Sequence, residues 1–366
     1  MRNAIDFRDK QFVATKSVTV DRNTPIWAEW RLVRNKCKSL MRRKMSNYFK
    51  EKTKDLKKDK NNKKLWNLHK MHTKTKKEKT NDDITCIVDS DDIKHTDSLN
   101  IANAMNKFFC SLKCELPETE LSVIDSDFEI YKKNNLINTS NFNFRKVTID
   151  DVILAIDKLD SDSSCGITNI PVKIIKYCKK VVAKLFCPLL NDFIAKGDIP
   201  DALKCAICTP LFKKKGYINC PDNYRGISVI SPFAKILERI LSSDILNHFS
   251  TNNLFSPIQH GFRTNFSCET ALHSLLDDWR INLDQHKFVI ALFVDFKKAF
   301  DLVDQKILLR KLHHYGFSDE SLALITDYFS DRTQITRVDK KLSSKEVLKT
   351  GVPQGTILGP LFFQFL

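Results

Sequence analysis

The residues best placed to do chemistry lie in Phe293-Val-Asp-Phe-Lys-Lys-Ala-Phe-Asp301. Val289 to Val294 is a short apolar run of β-branched and aromatic residues, a pattern that predicts a buried strand. Such a strand delivers Asp295 to its C-terminal end, where open α/β sheets put ligand-handling groups. A carboxylate there can hold a hard divalent cation through oxygen, with neighbouring backbone carbonyls as further ligands. An isolated aspartate more often caps a helix or closes a turn, so the flanking residues must carry the argument. An aromatic, Phe300, follows five residues later, and Gly351-Val-Pro-Gln-Gly-Thr-Ile-Leu-Gly-Pro360 adds a second punctuated segment.

The elements that must position these residues begin near Val147. Thr148 reads as the cap of a helix with Asp150 and Asp151 in its first turn. Helices over Pro171–Phe186 and Pro188–Lys196 follow, the second closed by Gly197. Lys204–Phe212 and Asn223–Ile230 read as a strand pair joined by a turn at Lys213-Lys-Lys-Gly216. Phe233–Phe249 and Cys268–Leu283 have helical periodicity. Asp304 and Ser318 cap two more helices, and Ile335–Val338 with Lys345–Lys349 reads as a hairpin. Long helices between strands imply an α+β or α/β core.

The rest of the chain differs in composition. Residues 1–24 read as a polar tail, 25–142 as a basic, helical linker region, and 143–366 as the folded domain. Arg31–Lys79 holds twenty lysines and arginines against four acids, and so carries the whole net charge of +16. Such local basicity suits a phosphate backbone. Intermittent apolar residues (Trp27, Trp30, Leu65, Trp66, Leu68) anchor the helices of this region. Leu99, Ala102, Met105, Phe108, Phe109 and Leu112 keep helical spacing within Asp97–Cys114. Eleven cysteines form no regular framework and no apolar run is long enough for a membrane span, which fits a reduced compartment, cytoplasm or nucleus. Cys205-x-x-Cys208 has no second ligand pair at zinc spacing.

Five ordered segments then resemble a known family. Phe293–Asp304 is similar to the first catalytic motif, and Gly351–Pro360 to the second, of reverse transcriptases from non-LTR (LINE-type, jockey-like) retrotransposons. Pro210-Leu-Phe-Lys-Lys-Lys-Gly216, Asn223-Tyr-Arg-Gly-Ile-Ser228 and Gln259-His-Gly-Phe-Arg263 resemble that family's fingers motifs, in order. The resemblance implies a right-hand polymerase fold, fingers and partial palm, working on an RNA template, a DNA primer and deoxynucleoside triphosphates. It implies two Mg²⁺ ions, with no organic cofactor and no membrane partner. Asp295 would be the first metal-binding aspartate and the Phe296 carbonyl a second contact. Phe300 would be the steric gate beneath the incoming sugar. Lys214 or Lys215 and Arg225 would hold the triphosphate, and Gln354 and Gly355 would pack on the nascent base pair. Gly226 stands where the family usually has proline. The chain also stops before a Tyr-Ala-Asp-Asp-type motif, so the resemblance implies a truncated polymerase that is inactive as given. The alternative is a catalytically inactive nucleic-acid-binding relic. A viral-type RNA polymerase is disfavoured because an aromatic at 300 would close on a ribose hydroxyl.

Overall fold

The computed structural model describes residues 2–18, 24–59, 84–112, 127–133 and 141–365. Two compact units divide the chain, Met1–Asn81 and Asp82–Leu366. In the first, Arg2–Val18 and Pro25–Asp59 are helices. Residues 2–18, which read as a tail, thus form a helix. Its Phe12 ring packs 6.0 Å from Trp27 and 5.4 Å from Trp30. Beyond that cluster Lys36, Lys38, Arg42, Arg43 and Lys44 are exposed. The expected anchors Leu65, Trp66 and Leu68 fall outside the described residues.

In the second unit a short antiparallel pair, β1 (Ile87–Val88) and β2 (Lys94–His95), precedes the helix Ser98–Cys110. The main sheet is built from β3 (Cys205–Phe212), β4 (Tyr224–Ile230), β5 (Thr333–Val338), β6 (Lys341–Leu342) and β7 (Glu346–Val347). β3 is the hub. It pairs antiparallel with β4, with Phe212 opposite Tyr224 and Ala206 opposite Ile230, and parallel with β5. β6 and β7 pair antiparallel with β5, as the expected hairpin requires.

The helix Ser98–Cys110 lies on this sheet although its surroundings in sequence are polar. Asp97 caps it, accepting from the Leu99 and Asn100 amides at 2.9 and 3.2 Å. Asn106 is fully buried and fully employed. Its amide donates to the Gln334 and Ser344 carbonyls at 3.1 and 2.9 Å, and its oxygen accepts from the Thr336 hydroxyl at 2.9 Å. A buried amide with every group paired pins one orientation.

The helices Ile149–Asp157, Lys179–Lys196, Pro232–Thr251, Gln305–His314, Asp319–Phe329 and Leu358–Phe363 enclose the main apolar core. One helix boundary differs from expectation. The break falls at Cys178, and Pro188 sits inside the helix Lys179–Lys196. Pro188 is exposed, so the carbonyl it leaves without a partner can turn to water, while Phe186, Cys187 and Leu190 hold the helix to the core. Among the described residues no helix is long and apolar enough to cross a membrane.

Thr148 and Asp151 form a reciprocal capping box, and Arg145 grips Asp151 at 2.7 and 2.8 Å. That guanidinium, with the Thr148 contacts, holds the Asp151 carboxyl below its ordinary value of 3.8. The native state therefore takes up this proton less readily than the unfolded chain. The contribution is complete above the ordinary value and is lost as pH falls below it. Asp244, on the same guanidinium, is pushed up by burial and acts in the opposite sense. We expect Thr148→Ala to cost about 1 kcal/mol in thermal unfolding at pH 7. Asp151→Asn should lower the melting temperature at pH 7 more than at pH 3, and an equal shift at both values would contradict this account.

Candidate nucleotide and nucleic-acid site

The segment carrying Asp295 is where expectation and structure part. Val289–Val294 is not a buried strand. It has no regular pairing, and Phe288 and Ile290 are 99% and 94% exposed. No residue from Ser250 to Leu302 is buried, and the intervening helix Cys268–Asp284 buries nothing. An apolar, β-branched run forms a strand only when a neighbour supplies its backbone partners and covers its side chains. Both edges of β3 are already taken, and no described strand pairs with 289–294. Asp295 and Phe296 are consequently exposed.

Immediately afterwards the chain becomes tightly organised. The Asp301 amide donates to the Lys298 carbonyl at 2.9 Å, and Asp304 caps the next helix through Lys306 and Ile307 at 2.8 and 3.0 Å. Gly351-Val352 closes onto this turn. The Val352 amide donates to the Phe300 carbonyl at 2.8 Å and the Gly351 amide to Val303 at 3.0 Å. Gly351 has φ +80°, and a Cβ there would lie 2.6 Å from the Asp301 carbonyl oxygen, so only glycine fits. The Ser228 amide on β4 donates to the Gln354 carbonyl at 2.7 Å. Gly355, at φ +105°, would place a Cβ 2.8 Å from the Ser228 carbonyl oxygen. The two segments singled out in sequence are thus joined to each other by backbone, and both Gln354 and Gly355 rest on β4.

The β3–β4 turn reaches the same place through charge. Lys298 Nζ stands 2.7 Å and Lys297 Nζ 3.2 Å from the carboxylate of Asp222, and these partners hold its carboxyl low. Lys213 donates to the Asp222 carbonyl at 2.6 Å. Lys214, Lys215 and Arg225 remain exposed, Lys214 at φ +57°. Gly226 is forced by packing, because a Cβ there would lie 2.9 Å from Cys208 Sγ. Burial pushes the Cys208 thiol up to about 12, which leaves it neutral and structural.

Sequence reasoning missed Asp222 and Glu238. Nothing in the local pattern announces an ion pair across 76 positions. Glu238, 1% exposed, accepts from the Tyr328 hydroxyl at 2.7 Å and from the amides of Ile357 and Leu358 at 2.7 and 3.3 Å. It thereby fixes the start of the helix Leu358–Phe363, and its place in an apolar helical pattern was the available signal.

Divalent cations would need more oxygen ligands than stand here. Among the described residues no three acidic, histidine or cysteine side chains converge on a cation position. Asp301 lines a small cavity of about 30 Å³ with Arg332, Thr350 and Gln354, and burial raises its carboxyl toward the neutral form. Asp295 and the Phe296 carbonyl are thus a partial donor set that does not fit a two-ion clamp.

A glycine-containing turn is closed on an aspartate–aromatic loop beside a basic hairpin. Residues 212–366 match the family described as reverse transcriptase (RNA-dependent DNA polymerase). A Drosophila melanogaster protein named "Probable RNA-directed DNA polymerase from transposon BS" is 27% identical over 60% of this chain and 24% of its own length. The RNA-directed DNA polymerase from mobile element jockey of the same species is 25% identical over 59% of this chain and 24% of its own. The Pol polyprotein from retrotransposable element R2 of Popillia japonica is 29% identical over 46% and 23%. The chain spans about a quarter of the length of these relatives. Over residues 212–366 the chain is thus similar to the reverse transcriptase domains of jockey-like, non-LTR retrotransposons.

Because Gly351 has no room for a methyl group, Gly351→Ala should destabilise the second unit by roughly 1–3 kcal/mol. Ala at exposed Gly261, where a Cβ meets nothing closer than 3.5 Å, should cost much less. Equal melting temperatures for the two variants would remove the close approach as the reason for glycine.

Proposed function

We propose that this chain supplies the nucleotide- and nucleic-acid-holding part of an RNA-directed DNA polymerase with a right-hand fold: fingers and part of the palm. The observation that carries the reading is the backbone joint between Phe300 and Val352, at 2.8 Å, within the segment that matches the family. In this reading the exposed lysines 214 and 215 and Arg225 bind the triphosphate. Arginine suits that task because its fork meets phosphate oxygens bidentately. Phe300 faces the sugar and discriminates by excluding a 2′-hydroxyl. Gln354 and Gly355 support the new base pair, with glycine allowing close backbone approach. Asp295 and the Phe296 carbonyl would supply part of a divalent-ion site, and an ion held there would offset negative charge on the phosphates. The exposed basic face of Pro25–Asp59 binds the template backbone.

A second reading, nucleic-acid binding without catalysis, is favoured by one observation: Asp295 lies exposed, without a converging set of carboxylates among the described residues. Primer extension on an RNA template with Mg²⁺ separates the two. The second reading expects only background extension, and extension that Asp295→Ala abolishes would sink it.

Two further outcomes are expected. Changing Lys36, Lys38, Arg42, Arg43 and Lys44 together to Gln should weaken RNA binding. It should also flatten the dependence of log affinity on log salt by roughly 0.7 for each phosphate no longer neutralised, as for single strands. An unaltered slope would remove this helix from the interface. Phe300→Val should lower the preference for deoxy- over ribonucleoside triphosphate by about tenfold, the scale on which pocket shape discriminates. An unchanged ratio would take Phe300 out of the gate role.

A further inference from the structure

Phe300 does not stand alone. Its ring centroid lies 5.0 Å from Phe363, inclined at 31°, and 6.3 Å from Phe262, nearly perpendicular at 86°. Phe262 sits in Gln259-His-Gly-Phe-Arg263, well upstream of the Asp295 segment. Its backbone has φ +57°, a left-handed conformation that a bulky L-residue adopts only when its surroundings impose it. Its side chain is 60% exposed, so it is no core residue.

Everything around Phe262 is held. Arg263 donates from Nη1 to the Ser256 and Gln259 carbonyls at 2.9 and 3.1 Å, and its guanidinium lies over Phe255 and Phe266 at 4.9 and 4.3 Å. Gln364 donates to the Gly261 carbonyl at 2.9 Å, and His260 Nδ1 pairs with the Thr270 hydroxyl at 2.9 Å. The loop is therefore fixed on both sides of a strained, exposed aromatic. Among the described residues the one ring that Phe262 meets is Phe300.

We propose that Phe262 is a positioning residue that fixes the ring of Phe300, and so sets how strictly the site tells deoxyribose from ribose. The proposal rests on the gate reading of Phe300. The backbone of Phe300 is tied down by the Val352 amide, which leaves its side-chain torsions to be set by packing. Phe363 is tilted at 31° to the ring, and Phe262 meets it edge-on, the arrangement that aromatic pairs favour. Removing Phe262 frees the ring to rotate and opens space for a 2′-hydroxyl, with the gate residue itself unaltered.

The test uses the full chain with Mg²⁺-dATP and Mg²⁺-ATP competing against a fluorescent deoxyadenosine triphosphate. It compares wild type, Phe262→Gly, Phe262→Tyr and Phe300→Val, each with its melting temperature. Glycine relieves the left-handed backbone, so Phe262→Gly should melt no lower than wild type and still lose several-fold of the dATP preference. Phe262→Tyr, which keeps the ring, should retain that preference. A role confined to folding gives the reverse: a lowered melting temperature with an unchanged ratio. If Phe300→Val lowers the preference and Phe262→Gly leaves it intact, the positioning role is overturned while the gate stands. A preference lost equally in the Gly and Tyr variants also overturns it. If no variant alters the ratio, or the wild type does not bind nucleotide, the gate reading falls and the positioning role with it.

Discussion

The second unit depends on one close approach: Gly351 against the carbonyl of Asp301, sealed by the amide of Val352 on the carbonyl of Phe300 at 2.8 Å. Two segments fifty residues apart are thereby made into a single rigid feature. No side chain could occupy position 351 without breaking it. The same turn then reaches β4 through Gln354, so the hairpin, the aspartate-bearing loop and the glycine turn share one frame. Glu238 completes that frame from behind by receiving the amides at the start of the helix Leu358–Phe363.

Electrostatics divide the surface around this frame into engaged and available charge. Lys213, Lys297 and Lys298 are occupied by Asp222, on its carbonyl or its carboxylate. Lys214, Lys215 and Arg225 are exposed. Of three consecutive lysines in the hairpin, one therefore braces the turn and two face solvent. A carboxylate in the middle of a basic cluster is no accident of packing: it offsets the repulsion that would otherwise spread Lys297 and Lys298 apart from the hairpin.

Most elements were legible because their signals are local. The cap at Thr148, the caps at Asp304 and Ser318, the β3–β4 hairpin and the amphipathic helix after Asp97 each depend on residues within a few positions of one another. Two expectations failed for the same physical reason. Pro188 does not end its helix, because burial of its neighbours outweighs one missing backbone bond. Val289–Val294 is not a strand, because strand propensity is a preference for a covered, paired surface, and no described strand provides one.

The sequence by itself determined the kind of domain, the glycines that permit close backbone approach, the aromatic at 300 and the localisation of all net charge in one basic stretch. Those properties belong to residue type and order. Only the tertiary structure decided which groups meet. It paired Lys298 with Asp222, buried Glu238 against two amides, closed Gly351 on Asp301, set Phe262 edge-on to Phe300, and left Asp295 in solvent. Contacts between distant positions depend on how whole elements pack, and a local pattern holds no information about a partner a hundred residues away.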